Sequence, residues 1–318
     1  MSAETENNGI VVESLVREFK KGPRAVDGID LEVGQGELFG LLGPNGAGKT
    51  TTVGMCTTRV LPTGGSVEVD GLDVVADPAG VRQRIGVVTQ YNTLDRACTV
   101  RENIYYHCRF FGMGSASGRR RTDGLLEQFR LADRAGAMPD ELSGGMAQRL
   151  QVARAIAHQP RVLFLDEPTA GLDPQSRIAL WDIVADLRRE GITVLLTTHY
   201  MEEAEQLCER VAIIDQGRIL VCDTPAALVK SLNAGRVVML ALDSRDDALL
   251  ARLHAIEGVT EVQPTDDGGV RLLAAAANGR LLPQVVEAAQ PNGVRDLAIN
   301  DPSLETVFIS LTGRELRD

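Results

Sequence analysis

A glycine-rich turn set between an apolar strand and a helix constrains this chain more than any other feature. Residues 37–42 read as a strand, and the next eight are Gly43-Pro44-Asn45-Gly46-Ala47-Gly48-Lys49-Thr50. A helix opens where they end, so backbone N–H groups and the positive end of the helix can wrap phosphates. Lys49 is placed to reach the β- and γ-phosphates of a nucleotide and the Thr50 hydroxyl to ligate Mg2+, with Thr51 next in the first helical turn. A purely structural turn would have to match eight positions in this context by chance.

The rest of the first two-thirds reads as an α/β core. Short strands are expected at 10–15, 29–33, 85–88, 162–166, 192–197, 211–215 and 218–221, the first two as part of an antiparallel subdomain. Between them, residues 99–157 have helical periodicity, with Ile104 and Phe111 in one segment and Leu125, Leu126, Phe129 and Leu131 in the next. The strand Val162-Leu163-Phe164-Leu165-Asp166 ends in Asp166-Glu167, at the strand C-terminus where open α/β sheets bind ligands. Asp166 is suited to bind Mg2+ directly or through water, and Glu167 to polarise the water that attacks a γ-phosphate.

Leu142-Ser143-Gly144-Gly145-Met146-Ala147-Gln148 offers an N-cap serine and two glycines at the head of another helix, a second anion-binding end. Taken alone, an ordinary helix start is the commoner meaning of such a segment. Ala170-Gly171-Leu172-Asp173 leads into Pro174, a cap and first-turn pair for a helix carrying Leu180, Trp181, Val184 and Leu187.

The phosphate loop, Leu142 to Leu150 and Leu163 to Pro174, in this order and spacing, resemble the nucleotide-binding domain of ABC ATPases. The resemblance implies a P-loop NTPase fold at 10–233, with a RecA-like core, an antiparallel β subdomain and a helical subdomain at about 91–158. It implies ATP and Mg2+ as ligands, bound by the phosphate loop with Thr51, Ser143, Gly144, Gly145 and Asp173. Gln90 resembles the glutamine that senses Mg2+ and the coupling interface, and His199 the switch histidine beside the γ-phosphate. Phe19 stands where the family has an adenine-stacking aromatic, with Val26 as its neighbour, although a buried core Phe is an equally good reading of residue 19. The family works as a dimer that clamps two ATP molecules head to tail, so a single chain makes no complete site. Met146 and Thr89 depart from the common pattern without removing a catalytic group.

After residues 224–225 the pattern restarts as strand, helix, strand, turn, strand, helix, strand, the order of a small ferredoxin-like α+β domain at 234–318. Its end, Asp301-Pro302-Ser303-Leu304-Glu305-Thr306-Val307-Phe308-Ile309-Ser310-Leu311-Thr312-Gly313-Arg314, is similar to that of daunorubicin-resistance-type exporters. That implies export of a hydrophobic drug or antibiotic-like compound through separate membrane-spanning subunits. The turns at Asp243, Arg245, Asp246, Asp266 and Asp267 read as solvated, so a dimer-stabilising or regulatory role is preferred over a ligand-sensing pocket. Five of the twelve aromatics, Tyr91, Tyr105, Tyr106, Phe110 and Phe111, cluster after Gln90, either as a docking surface for the membrane partner or as the helical subdomain's own core.

Composition narrows the partners. With 318 residues, 44% of them hydrophobic, the chain can bury a large core and a small one. A formal charge of -11 and no basic block beyond residues 119–121 make nucleic acid an unexpected ligand. The five cysteines have no paired spacing and read as reduced cytosolic thiols. Residues 1–9 are polar and expected to be disordered, and no run approaches the roughly 18 apolar residues of a membrane span, so a peripheral place on the cytoplasmic face of the membrane is expected. A rival reading is a soluble ATPase of the same type clamping nucleic acid or ribosomes. The acidic balance, the single motif set and the lack of a long heptad arm or zinc hook oppose it. A third, a regulatory module that binds ATP but hardly turns it over, is opposed by Glu167 and His199.

Overall fold

A strand apolar on both faces needs cover on both sides, and Leu38-Phe39-Gly40-Leu41-Leu42 is such a run. In the computed structural model, which describes residues 8–20, 22–232, 235–265, 268–275 and 281–312, all five are buried inside a six-stranded sheet.

The first unit begins β1 (Asn8–Glu18), β2 (Arg24–Gly34), β3 (Leu38–Leu42), α1 (Lys49–Cys56), β4 (Gly64–Val69), β5 (Leu72–Asp73), α2 (Pro78–Arg84) and β6 (Ile85–Val88). Helices α3 (Val100–Phe110), α4 (Ser115–Gln128) and α5 (Gly144–Ala155) follow without a strand between them among the described residues. Then come β7 (Val162–Asp166), α6 (Pro174–Arg189), β8 (Thr193–Thr198), α7 (Met201–Leu207), β9 (Arg210–Asp215) and β10 (Arg218–Asp223). The second unit holds α8 (Pro225–Ser231), β11 (Arg236–Leu242), α9 (Asp247–His254), β12 (Val259–Pro264), β13 (Val270–Ala274), α10 (Leu281–Ala289), β14 (Val294–Asn300) and α11 (Leu304–Thr312).

The six-stranded sheet has the order β10-β9-β3-β8-β7-β6, and β9, β3, β8, β7 and β6 pair in parallel. The C-terminal ends of β3, β8, β7 and β6 therefore lie side by side, and each runs into a segment carrying polar groups. An antiparallel sheet, β2-β1-β4-β5, shares one apolar core with it: Ile10, Leu15 and Ile29 cluster with Phe39, Leu41, Val53 and Met55. Burying side chains such as Phe39 and Phe164 completely stabilises the fold by about 1.5–3 kcal/mol each.

Helix α3 starts at a capping box in which Thr99 Oγ1 accepts from Glu102 N–H at 3.2 Å and Glu102 Oε2 accepts from Thr99 N–H at 2.8 Å. Asn103, nearly buried, holds the preceding loop by donating to the carbonyls of Asp95, Cys98 and Thr99. Helix α5 reaches the same loop, since Gln151 Oε1 accepts from Thr93 N–H at 3.2 Å and Arg154 donates to the Thr93 carbonyl at 2.6 Å.

The compact units divide between Cys222 and Asp223, ahead of the small-residue break at 233–235, of which 233 and 234 lie outside the described residues. Helix α8 belongs to the second unit because it packs on α11. That unit's sheet is antiparallel, with the order β12-β13-β11-β14, as a βαββαβ plait requires, and its core gathers Val238, Leu240, Leu253, Leu272, Leu281 and Val285. Arg245 ties the turn before β13 by donating to the Thr265 and Gly269 carbonyls, while Asp266, Asp267, Gly313 and Arg314 lie outside the described residues. Two expectations need amendment. Asn8 and Gly9 belong to β1 rather than to a disordered tail, because they extend its pairing with β2 and β4, and residues 1–7 lie outside the described residues. Strands β4 and β5 and helix α11 were not legible as elements, β4 because its Gly64-Gly65 start masks the alternation of Val67 and Val69.

Candidate functional site: a phosphate-loop cavity at four strand ends

The turn after β3 is shaped by what crowds it. A Cβ at Gly43 would stand 2.1 Å from the Ile214 carbonyl oxygen, so no other residue fits where the loop leaves the sheet. The first bond inside α1 is Thr52 N–H to the Gly48 carbonyl at 2.9 Å, which leaves the N–H groups of Lys49, Thr50 and Thr51 without an acceptor inside the helix. A cavity of about 320 Å³ opens against this turn, lined by Asn45, Gly46, Gly48, Thr51, Gln90 and Glu167 among others, with Ala25 at its edge. Pro44, Lys49 and Thr50 also line it; Gly43 and Ala47 do not, Ala47 being buried behind it.

Three side chains converge on Glu167. Lys49 Nζ lies 3.1 Å from its Oε1 and also donates to the carbonyls of Gly43 at 2.7 Å and Pro44 at 3.2 Å. Gln90 Nε2 donates to Oε2 at 3.3 Å, and His199 Nδ1 stands 3.4 Å from the same oxygen, an ion pair only when the ring is protonated and without hydrogen-bond geometry at Nδ1. Glu167 takes φ 49°, the left-handed region that costs a side-chain-bearing residue about 1–3 kcal/mol. Its N–H is held by Thr197, through the carbonyl and through Oγ1, both at 3.1 Å. The turn thus brings the carboxylate back over the strand ends.

Asp166, 2% exposed, accepts from Thr197 Oγ1 at 2.7 Å and from Thr50 Oγ1 at 3.2 Å. Thr50 and Asp166, with Gln90 nearby, supply hard oxygen donors. Among the described residues no group of three or more His, Cys, Asp or Glu could hold a metal. A set of few protein donors suits Mg2+, which keeps substrate phosphates and water in its shell.

Ser143 caps α5 and accepts from Met146 N–H at 3.3 Å, while Asp173 caps α6 and accepts from Ser176 N–H at 3.0 Å; the Ser176 side chain first, and this N–H after it, hold the Asp173 carboxyl below the usual range. The two helix starts touch, for a Cβ on Gly145 would meet Ser176 Oγ at 2.3 Å. Ser143, Gly144 and Asp173 are exposed and none lines the cavity.

Phe19 is 44% exposed, which removes the buried-core reading, and Arg17 sits 4.5 Å over its ring. Val26 is buried without any accessible surface, packed behind Gly48, so it offers nothing to a ring; Ala25 is the residue that faces the cavity. Neither Ala25 nor Thr197 was singled out from the sequence. For Thr197 a signal existed, a pair of threonines ending an otherwise apolar strand; for Ala25 there was none.

The comparisons with known proteins point the same way. A family model described as ABC transporter matches residues 26–170. The daunorubicin resistance ATP-binding protein DrrA2 of Streptomyces coeruleorubidus is 41% identical over 311 residues, covering 96% of either chain. The linearmycin resistance ATP-binding protein LnrL of Bacillus subtilis (strain 168) is 35% identical, covering 92% of this chain and 95% of that one. Among solved structures, a dimeric ATP-binding cassette in a post-hydrolysis state bound to ADP and Pi matches with a TM-score of 0.63 and 26% identity, over 68% of this chain and 98% of that one. By the geometry of its phosphate-loop cavity and by this likeness along nearly its whole length, the chain belongs to the ABC transporter ATP-binding proteins, alongside the daunorubicin resistance ATP-binding proteins.

Proposed function

We propose that this ATPase works as one half of a head-to-tail homodimer and powers export of a hydrophobic, antibiotic-like compound through separate membrane-spanning subunits. One observation carries the reading: four adjacent strand ends bring Lys49, Gln90 and Glu167 to one cavity, with Asp166 against its Thr50 and His199 against its Glu167, while Ser143 and Asp173 are exposed on capped helices and line none of it. A second copy is what those outward residues need.

In the mechanism we infer, Lys49 exchanges its carbonyl and carboxylate partners for phosphate oxygens, and the free N–H groups of the first α1 turn hold the β-phosphate. Thr50, Asp166 and Gln90 would hold Mg2+, whose chemistry there would be to offset the negative charge of the phosphates. Glu167, released by Lys49, orients the attacking water, and His199 beside it holds the γ-phosphate. Ser143 of the partner copy closes the far side of the nucleotide with the head of α5. Gln90 reports the event outward, because Thr93, three residues on, is bound by α5.

The membrane partner is expected at a cavity of about 650 Å³ lined by Arg82, Gln83, Phe110, Phe111, Gly112 and His158. Tyr91, Tyr106 and Phe110 are 78%, 53% and 86% exposed around the same segment, which favours docking over a subdomain core; Tyr105, bonded to Ser115 at 3.1 Å, and Phe111, stacked 3.8 Å from His158, are half-buried. No helix among the described residues is long and apolar enough to cross a membrane. The relatives named for daunorubicin and linearmycin resistance support a drug-like cargo, and nothing observed favours the clamp on nucleic acid or ribosomes.

The test is a pull-down from detergent-solubilised native membranes, with ATP and the Glu167→Gln chain as bait. A multi-span membrane protein is expected, lost when Tyr106→Ala and Phe110→Ala are added. Ribosomes or nucleic acid in its place, or a membrane protein indifferent to both substitutions, would contradict the docking and export reading.

A further inference from the structure

Only three carboxylates are buried among the described residues: Asp166, Glu167 and Glu203. The first two belong to the site, and the mechanism makes no use of the third. Glu203 is 1% exposed on the first turn of α7, four residues beyond His199. Its Oε1 accepts from Trp181 Nε1 at 3.1 Å, and Trp181 lies on α6, the helix that Asp173 caps.

A second link joins the same elements. The Arg177 guanidinium, also on α6, lies 4.7 Å over the ring of Tyr200, and that ring is 4.1 Å from the ring of His199. Burial pushes the Glu203 carboxyl pKa up, against the pull of Thr198, Trp181, Thr169 and the Arg177 charge. The Thr169 side chain and the Arg177 charge thus act on one buried carboxylate from the two sides of the Asp173 cap. Thr169 sits three residues after Asp166, in the turn that leads to Asp173.

We propose that Glu203 is a positioning residue: with Trp181 it ties the loop bearing His199 to α6, so that displacement of the Asp173 turn moves His199 against Glu167. The partner copy would thereby set the rate of cleavage as well as complete the site. This rests on the head-to-tail pairing proposed above.

The experiment measures single-turnover ATP cleavage, ATP affinity and thermal unfolding of the whole chain, for Trp181→Phe, Glu203→Leu and Glu203→Gln, each with His199 intact and with His199→Ala. With His199 intact, Trp181→Phe and Glu203→Leu are expected to slow cleavage by about 5- to 20-fold while ATP affinity stays within about twofold. Glu203→Gln, which keeps an oxygen for the indole N–H, restores most of the rate. In the His199→Ala background the same substitutions add no further loss, as expected of residues that act through one another. Equal losses in both backgrounds, unchanged rates, or a common collapse of ATP affinity and thermal midpoint would overturn the inference. A wild-type chain that cleaves no ATP would instead sink the proposed function, and this inference with it.

Discussion

Lys49 and Glu167 hold each other at 3.1 Å, both nearly buried, and phosphate chemistry must separate them. The ammonium is a binding group and the carboxylate a water-orienting group, so their removal has different consequences. Lys49→Ala is expected to weaken ATP binding and leave Glu167 without its cation. Glu167→Gln is expected to keep ATP bound while hydrolysis falls roughly 100-fold or more, the scale of a lost general base. Nucleotide binding followed by fluorescence and phosphate release measured on the same samples separate the two; normal turnover by Glu167→Gln would remove its assigned role. At this scale the sequence was legible where a residue's chemistry is fixed by a motif. It was less legible where side-chain direction decides. Val26 and Ala25 are neighbours on one strand, and only the pairing of that strand determines which faces the nucleotide and which the core. Thr197 was hidden for a related reason, because its three bonds to the Asp166-Glu167 segment exist only once β7 and β8 lie side by side.

At the scale of elements, backbone contact rather than side-chain chemistry limits what can change. Gly43→Ala must push its methyl against a carbonyl oxygen of the neighbouring strand, and such overpacking is expected to destabilise the fold by about 1–3 kcal/mol, measured as a shift of the urea midpoint. A stability equal to wild type would show that the turn after β3 is looser than described. Helix α3 makes a pH prediction. Burial, with the neighbouring His158 and Arg154 charges, lowers the His107 pKa from 6.5 to about 4. Between those values the unfolded chain binds a proton that the folded chain refuses, so the contribution is whole above pH 6.5 and fades as pH falls towards 4. Urea midpoints at pH 7 and 4.5 should therefore drop more for wild type than for His107→Gln; equal drops would mean that His107 is not held neutral. Parallel strands buried on both faces, such as β3 and the first four residues of β7, were readable as unbroken apolar runs. The two-residue β5 carries too little pattern to be read, and it owes its place to β4.

The whole molecule divides its labour between two compact units, each with its own apolar core. The order of the second sheet fits the alternation of strands and helices along the chain, whereas α8, which precedes those strands, joins that unit through packing on α11 that no local pattern announces. The first unit presents Ser143 and Asp173 away from its own cavity, on capped and exposed helix starts. A chain built this way should be idle alone. The most direct test is phosphate release per chain, measured for wild type and Glu167→Gln across protein concentrations that span the monomer–dimer equilibrium. The account predicts that specific activity rises with concentration to a plateau and that Glu167→Gln stays flat near zero throughout. Constant specific activity down to the highest dilution, with the chain shown to be monomeric there, would contradict it.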